Sequence, residues 1–305
     1  MSPPVGVLVM AHGTPASPGE IAAFYTRIRR GRPPTSEQLD ELEQRYAAIG
    51  GVSPLTERTQ AQVDGLRAAL EARAPGRYVV AFGAKHTEPF IEDGAAALSA
   101  AGVERIIGLV LTPHGSSLGS QEYLDRAAAA AAGPFTAVPP WYAEAALVGL
   151  LADRVAEARN PFIVRGDERV PVVFTAHSLP ARVQAAGDTY PEQLAESAHL
   201  VAAAAGLREW VVAWQSAGRT TERWLGPDIR DVARQLAAEG VDAMVVCAIG
   251  FVADHLEVLY DLDVELATVA EGCALPWART ASLNDDPRFI DVLADVVVVT
   301  DAGAP

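Results

Sequence analysis

The sequence predicts an α/β protein made of two similar doubly wound halves with parallel sheets, and three observations predict it. Short apolar, β-branched runs alternate with longer Ala-rich segments of helical period along the chain, the rhythm of parallel strands covered on both faces by their connecting helices. A strand-then-AHxxP phrase occurs twice, 165 residues apart: Val5 to Met10 runs into Ala11-His12-Gly13-Thr14-Pro15, and Val172 to Thr175 runs into Ala176-His177-Ser178-Leu179-Pro180. The 305 residues are enough for two compact domains. These Rossmann-like halves are expected at residues 1–141 and 142–305, divided near Val138-Pro139-Pro140-Trp141, where two prolines break the pattern. The last helix is expected to pack back on the first domain. Open α/β sheets bind ligands at the carboxyl ends of their strands, so His12 and His177 would face one cleft.

In chain order, the apolar runs predict buried strands at Val5 to Met10, Tyr78 to Gly83, Arg105 to Leu111, Val170 to Thr175, Glu209 to Trp214 and Ala243 to Ala248. Helical periodicity predicts Gly19 to Arg30, Glu37 to Ala48, Glu57 to Ala74, Ile91 to Ala101 and Ser120 to Ala130 in the first half. In the second half it predicts Ala143 to Ala158, Tyr190 to Ala205, Ile229 to Glu239 and Pro287 to Val297. Gly50-Gly51-Val52-Ser53-Pro54-Leu55 reads as a tight turn offering a hydroxyl and backbone donors. Gly250 to Ala253 reads as the end of a buried strand that delivers a helix into the cleft mouth.

Composition excludes several function classes. The chain is 50% hydrophobic and 21% charged, so it can bury a sizeable core. A net charge of -15 argues against a nucleic-acid partner, which needs clustered Lys and Arg over a broad surface. The first residues lack a positive leader, and no uncharged apolar run reaches the ~18 residues of a membrane span. A soluble cytoplasmic protein is expected, with no membrane insertion. Two cysteines, Cys247 and Cys273, form neither a disulfide framework nor a CxxC knuckle.

The chemistry concentrates in a few places. Helical spacing aligns Glu257, Asp261 and Glu265 as a ladder, since four residues advance a helix by about 6 Å and just over one turn. Like charges so placed repel, so the row is either a solvated face or a track for cations. Crowding should raise at least one carboxyl pKa and let it shuttle protons. Of six histidines, His199 reads as a surface or core filler in a helix, His86 and His114 as lining the cleft or capping the next helix, and His255 as either functional or fixing a loop by hydrogen bonding. His12 and His177 stand apart at the repeated strand ends, suited to proton transfer or to ligating a divalent metal. Arg27, Arg29, Arg30 and Arg32, followed by Arg45 and Tyr46, make a local basic patch suited to carboxylates in an otherwise acidic chain. Neither HExxH, GxSxG nor a Gly-rich phosphate loop occurs.

FTAHSLP at Phe174 to Pro180, AWQSAGRTTERWLGPD at Ala213 to Asp228, GFVADHLEVLYDLDVE at Gly250 to Glu265 and LNDDPRFIDVLA at Leu283 to Ala294 resemble the ferrochelatase family, end to end. IRRGRPP at Ile28 to Pro34, RYAAIGGVSPL at Arg45 to Leu55 and KHTEPFIED at Lys85 to Asp93 are most similar to the monomeric, water-soluble members from Gram-positive bacteria. The resemblance implies the type II chelatase fold, with a porphyrin cleft between the halves. It implies a lyase of haem biosynthesis that inserts Fe2+ into coproporphyrin III, rather than protoporphyrin IX, to give coprohaem with release of two protons. His177 matches the family's active-site histidine and Glu257 its acidic partner. Asp261 and Glu265 match positions that bind divalent cations in relatives, so the row reads as a metal relay or a proton exit.

His12 stands on the opposite porphyrin face where the soluble relatives often carry tyrosine, and could hold the metal or the product. By the same resemblance His12, Thr14, Arg29, Arg30, Arg45, Tyr46, Ser53, Tyr123 and Ser216 are expected to bind substrate, with Trp214 and Ile28 in the apolar walls. Iron is expected as substrate and no cofactor as permanently bound. Some relatives carry a [2Fe-2S] cluster, for which two cysteines cannot supply four thiolates. A monomer with transient contact to the next haem-pathway enzyme is expected. A porphyrin or haem carrier, favoured by His12, and a cobalt or nickel chelatase of the cobalamin type remain alternatives.

Overall fold

In the computed structural model, which describes residues 3–218 and 220–303, the chain forms two four-stranded parallel sheets. The first half runs β1 (Val5–Ala11), α1 (Ile21–Ile28), α2 (Ser36–Ala48), α3 (Leu55–Arg73), β2 (Tyr78–Ala84), α4 (Ile91–Ala100), β3 (Ile106–Val110), α5 (Ser120–Ala130) and β4 (Phe135–Ala137). The second runs α6 (Ala145–Arg165), β5 (Val172–His177), α7 (Arg182–Ala185), α8 (Tyr190–Ala204), β6 (Trp210–Gln215), α9 (Ile229–Ala238) and β7 (Met244–Cys247). It then continues through α10 (Leu256–Leu259), a π-helical stretch (Asp261–Leu266), α11 (Ala267–Gly272), β8 (Trp277–Arg279) and α12 (Pro287–Gly303).

The strand orders are β2-β1-β3-β4 and β6-β5-β7-β8, so each half places its first strand inside and its second at the edge. The repeated phrase therefore marks equivalent points: β1 pairs with β2 and β3, and β5 with β6 and β7. Val5, Val7, Leu8, Val9 and Met10 are fully buried, as are Val172, Val173 and Phe174, because helices cover both faces.

Four local differences from the sequence reading have physical causes. β4 and β8 are edge strands of three residues, too short to carry a periodic signal. Helix α6 runs past Ala158 and through Pro161 to Arg165, with Phe162 still buried. It stops at Gly166, whose φ of 99° is the left-handed conformation that favours glycine at a helix end. Helix α12 extends six residues beyond Val297 to Gly303. There Asp301 accepts hydrogen bonds from Arg77, Tyr78 and Arg105.

Gly250 to Ala253 is a loop, not a strand end, since β7 stops at Cys247. A Cβ at Gly250 would lie 2.4 Å from the Ala176 Cβ, so glycine lets this loop pass against the end of β5. One contiguous core joins Val5, Leu66, Trp141, Phe174, Phe289 and Val297, and α12 packs on both α3 and α6. The two sheets are thereby held in one body with their strand ends toward a common cleft. Among the described residues no helix is long and apolar enough to cross a membrane.

Candidate active site

The cleft is built from the loops that leave the central strands. His177 is the last residue of β5 and Glu257 the second of α10, and their Nε2 and Oε1 atoms are 3.4 Å apart. The His177 Nδ1–H donates to the Ser178 carbonyl at 2.5 Å, which fixes the tautomer and leaves Nε2 for the cleft. Burial opposes charge on this ring, but the Glu257 carboxylate, with help from the Nδ1 bond and Asp261, outweighs it and lifts the pKa to about 9. Burial likewise works against charge on Glu257, yet His177 and His255 hold its carboxyl well below the usual range. Both side chains remain 35% exposed, so the pair is packed at its back and open in front. His255 Nε2 sits 3.6 Å from the other Glu257 oxygen, and its Nδ1–H donates to the Ala253 carbonyl at 3.0 Å. The carboxylate is thus flanked by two imidazoles.

Beyond Glu257 the winding widens. Glu265 N–H bonds the Tyr260 carbonyl five residues back at 2.9 Å, the i to i−5 pattern of a π-helix, so the acidic row follows a broader turn than the straight ladder expected. Asp261 is 5% exposed; one oxygen accepts the Ser216 hydroxyl, and the other lacks a hydrogen bond and lies 3.7 Å from Arg45 Nη1. Burial, then the charge of Glu257, raises its pKa to about 6 against Ser216 and Arg45. Glu265 ends the row between Arg45 at 3.9 Å and Arg230 at 3.4 Å. Arg45, stacked 5.0 Å over the Tyr260 ring, is turned toward the acidic row. Ser216, with φ of 60°, is likewise occupied by Asp261.

The opposite wall follows β1. His12 is exposed, its Nδ1–H donating to the Gly13 carbonyl at 3.1 Å, and its ring centroid lies 4.6 Å from that of His86 and 5.8 Å from Phe24. Although the residue is exposed, protein packed around the ring still displaces hydrating water, and this is the largest influence lowering its pKa; Lys85 and His255 add to it, and Glu257 opposes it. Burial, then the neighbouring His12, brings His86 down to about 3. Thr14 shares a 3.1 Å hydrogen bond with the buried Tyr46 hydroxyl, whose pKa burial pushes up to about 12. Lys85 bridges to Glu122 at 2.9 Å and stacks over Tyr123 at 5.1 Å.

Arg29 stacks on Tyr25 and bonds the Arg32 carbonyl, Arg30 is exposed with φ of 56°, and Ser53 accepts the Leu55 N–H. No hydrogen bond or ion pair among the described residues joins Arg29, Arg30, Ser53 or Tyr123 to the His177–Glu257 pair. Trp214 is 5% exposed and packs on Tyr190, so it belongs to the core and not to a cleft wall, whereas Ile28 is exposed at 37%. Arg219, in the second-half motif, lies outside the described residues. Gln215 and Tyr190 went unread in the sequence, although Gln215 ends a strand beside the one ending in His177; Tyr190 donates to the His177 carbonyl at 3.1 Å.

A cavity of about 330 Å³ lies behind the first wall, lined by Gly13, Thr59, Phe82, Thr87 and Gly94, and not by His177 or Glu257. No group of three or more His, Cys, Asp or Glu side chains among the described residues forms a metal cage. Cys247 and Cys273 are free thiols. The arrangement offers an imidazole and a carboxylate side by side, a buried acid behind them whose pKa burial raises to about 6, and two arginines at the far end.

The ferrochelatase family profile matches residues 4–300. The chain is 43% identical over 300 residues to the coproporphyrin III ferrochelatase of Anoxybacillus flavithermus, covering 96% of this chain and 95% of that one. It is 42% identical over 300 residues to the coproporphyrin III ferrochelatase of Bacillus subtilis, covering 96% and 97%. Among solved structures, SirB from Bacillus subtilis with Fe3+ is similar at a TM-score of 0.59 and 14% identity, covering 98% of this chain and 96% of that chain. At that identity the likeness is one of fold, the type II chelatase architecture.

Proposed function

The chain belongs to the ferrochelatase family, and from that premise we propose that it inserts Fe2+ into coproporphyrin III, giving coprohaem and two protons, as a lyase of haem biosynthesis. The observation that carries this reading is the 3.4 Å pairing of His177 Nε2 with Glu257 Oε1 at the cleft end of the second sheet. Two ligands on one ion at about 2.0 to 2.2 Å each stand roughly 3 to 3.4 Å apart, so the pair is spaced to hold one divalent cation. An open two-ligand site suits a metal that must leave again.

The reaction replaces two pyrrole N–H protons by one iron. Without metal, the raised pKa of His177 keeps a proton on the pair at neutral pH. Arriving Fe2+ displaces that proton and takes Nε2 and the carboxylate as ligands. As the iron moves on to the pyrrole nitrogens, the freed imidazole and carboxylate are the nearest bases for the departing N–H protons. Asp261, with its pKa of about 6, is suited to pass protons along the row to Glu265 and solvent. Arg45 and Arg230 at Glu265 keep the outer end of the row from accumulating negative charge.

On the other face, we read neutral His12 as the ligand of the product iron, with Thr14, Arg29, Arg30, Tyr46, Ser53 and Tyr123 holding the propionates. Arg45 and Ser216, already engaged by the acidic row, would have to exchange partners to bind a propionate. We place the domain boundary between residues 141 and 142 and read the protein as a cytoplasmic monomer. Anaerobic Fe2+ insertion into coproporphyrin III and protoporphyrin IX, followed by absorbance with wild type beside His177→Ala, tests the function. Rapid conversion of coproporphyrin by wild type alone is expected; tight porphyrin binding without turnover in wild type would leave a haem carrier instead.

A further inference from the structure

We infer that Gln215 is a positioning residue that fixes the separation of His177 and Glu257. Gln215 is 1% exposed and ends β6 as the register partner of His177 in β5. Its backbone carbonyl accepts the Ser178 N–H at 2.7 Å, which ties the residue after His177. Its side-chain Nε2 donates to the Glu257 carbonyl at 2.9 Å, and its Oε1 accepts the Thr175 hydroxyl at 2.8 Å. Thr175 is fully buried. Both ends of the amide are therefore used, and the orientation of the group is set by the network.

The connection matters because the two reactive residues come from unlike elements. His177 belongs to a central strand, while Glu257 sits in a four-residue helix that passes almost at once into π-helical winding. No other side chain among the described residues donates to the Glu257 backbone. Gln215 thus gives the short helix a fixed distance from the sheet, and Ser216 repeats the tie one turn later by donating to Asp261. A core position that needed only filling would avoid the cost of burying an amide. Partners that orient metal ligands from behind are typically worth about 10- to 100-fold in affinity or rate.

This inference rests on the iron-insertion reading and is tested so that the two fail separately. Gln215→Met keeps the volume and removes both polar atoms. It is expected to lower kcat for Fe2+ insertion into coproporphyrin III by about 10- to 100-fold, with KM for the porphyrin unchanged. Calorimetry with Zn2+ alone on the porphyrin-free protein should show a parallel loss of affinity.

The single variant also strands the Thr175 hydroxyl and should lose thermal stability; Gln215→Met with Thr175→Val removes that orphan and should regain much of the Tm. If Gln215 only fills and satisfies the core, the double variant recovers turnover along with Tm. If it positions the pair, kcat and Zn2+ affinity stay low. Recovery of turnover, or a single variant with undiminished kcat and Zn2+ affinity, overturns the inference. Should the single variant not fold, the double variant alone decides. A wild type that binds Zn2+ but inserts no metal defeats the functional reading and leaves the Zn2+ comparison to judge Gln215.

Discussion

His12 and His177 leave equivalent central strands of two sheets with the same strand order, yet their surroundings give them opposite acid–base character. Both rings lose hydration and both feel Glu257: at His177 the carboxylate outweighs that loss and the pKa rises to about 9, whereas at His12 it does not, Lys85 adds to the loss, and the pKa falls. Both Nδ1–H groups donate to the carbonyl of the next residue, so backbone geometry is not the source of the difference. Fold repetition places an imidazole on each side of the cleft. The loops that follow decide which one shares a proton with a carboxylate and which stays neutral.

The sharpest way to break this contrast is to remove each ring in turn. His177→Ala should lower kcat by about a hundred- to ten-thousand-fold, the range for loss of a positioned acid–base group, in the anaerobic insertion assay. If His12→Ala costs as much, the two walls are not specialised and the contrast fails.

Glu257→Gln sharpens it further and should cost about a hundredfold in kcat. The charge that raises the His177 pKa disappears, so the ring pKa should fall from about 9 toward its ordinary value near 6.5, read by NMR titration of the metal-free protein. The sign follows from linkage: a raised folded-state pKa contributes stability that is complete below the unfolded value and is lost as pH rises through about 9. Wild type should therefore lose stability between roughly pH 7 and 9 where Glu257→Gln does not. An unshifted ring in the variant would mean that Glu257 is not what separates the two histidines.

A smaller effect is expected on the first wall. His12→Phe keeps a ring against Phe24 and His86 but removes the imidazole nitrogens. Turnover should change by no more than about tenfold, or about 1.4 kcal/mol, while the absorbance of bound product iron porphyrin shifts as an axial nitrogen is lost. An unchanged product spectrum would remove His12 from the iron.

The sequence shows this contrast only in part. The six inner and edge strands of at least four residues, and the helices around them, are legible because apolar runs and helical periods are long. The three-residue strands β4 and β8 are not, and Pro161 hides the true length of α6 because the signal for a break outweighs the burial of Phe162. In the site, the family motifs point to His177, Glu257 and the acidic row. They do not show that Arg45 pairs with Asp261 and Glu265, since a salt bridge joining α2 to the π-helical stretch has no local sequence signal. The family resemblance puts Trp214 in a cleft wall, but β6 is covered on both faces at this point, with Ala213, Trp214 and Gln215 all buried, and Trp214 packs into the core.

The weakest test of the contrast concerns what holds the two walls in place. Asp301 on α12 accepts hydrogen bonds from Arg77, Tyr78 and Arg105, and its side chain is only 12% exposed. Burial works against its charge, but Arg105, Tyr78 and Arg77 outweigh this and lower its pKa. A depressed folded-state pKa contributes stability that is present above the unfolded value and lost as pH falls through the folded one. Asp301→Asn should therefore cost about 1 to 3 kcal/mol at neutral pH, measured by urea unfolding, and this penalty should shrink below about pH 4. Because Asp301 anchors α12 to the first half and touches neither His177 nor Glu257, kcat at a temperature well below Tm should stay near wild type. A large loss of kcat without a loss of stability would show that the docking of α12 sets the distance between the two walls, and that the difference between His12 and His177 is maintained from outside the cleft.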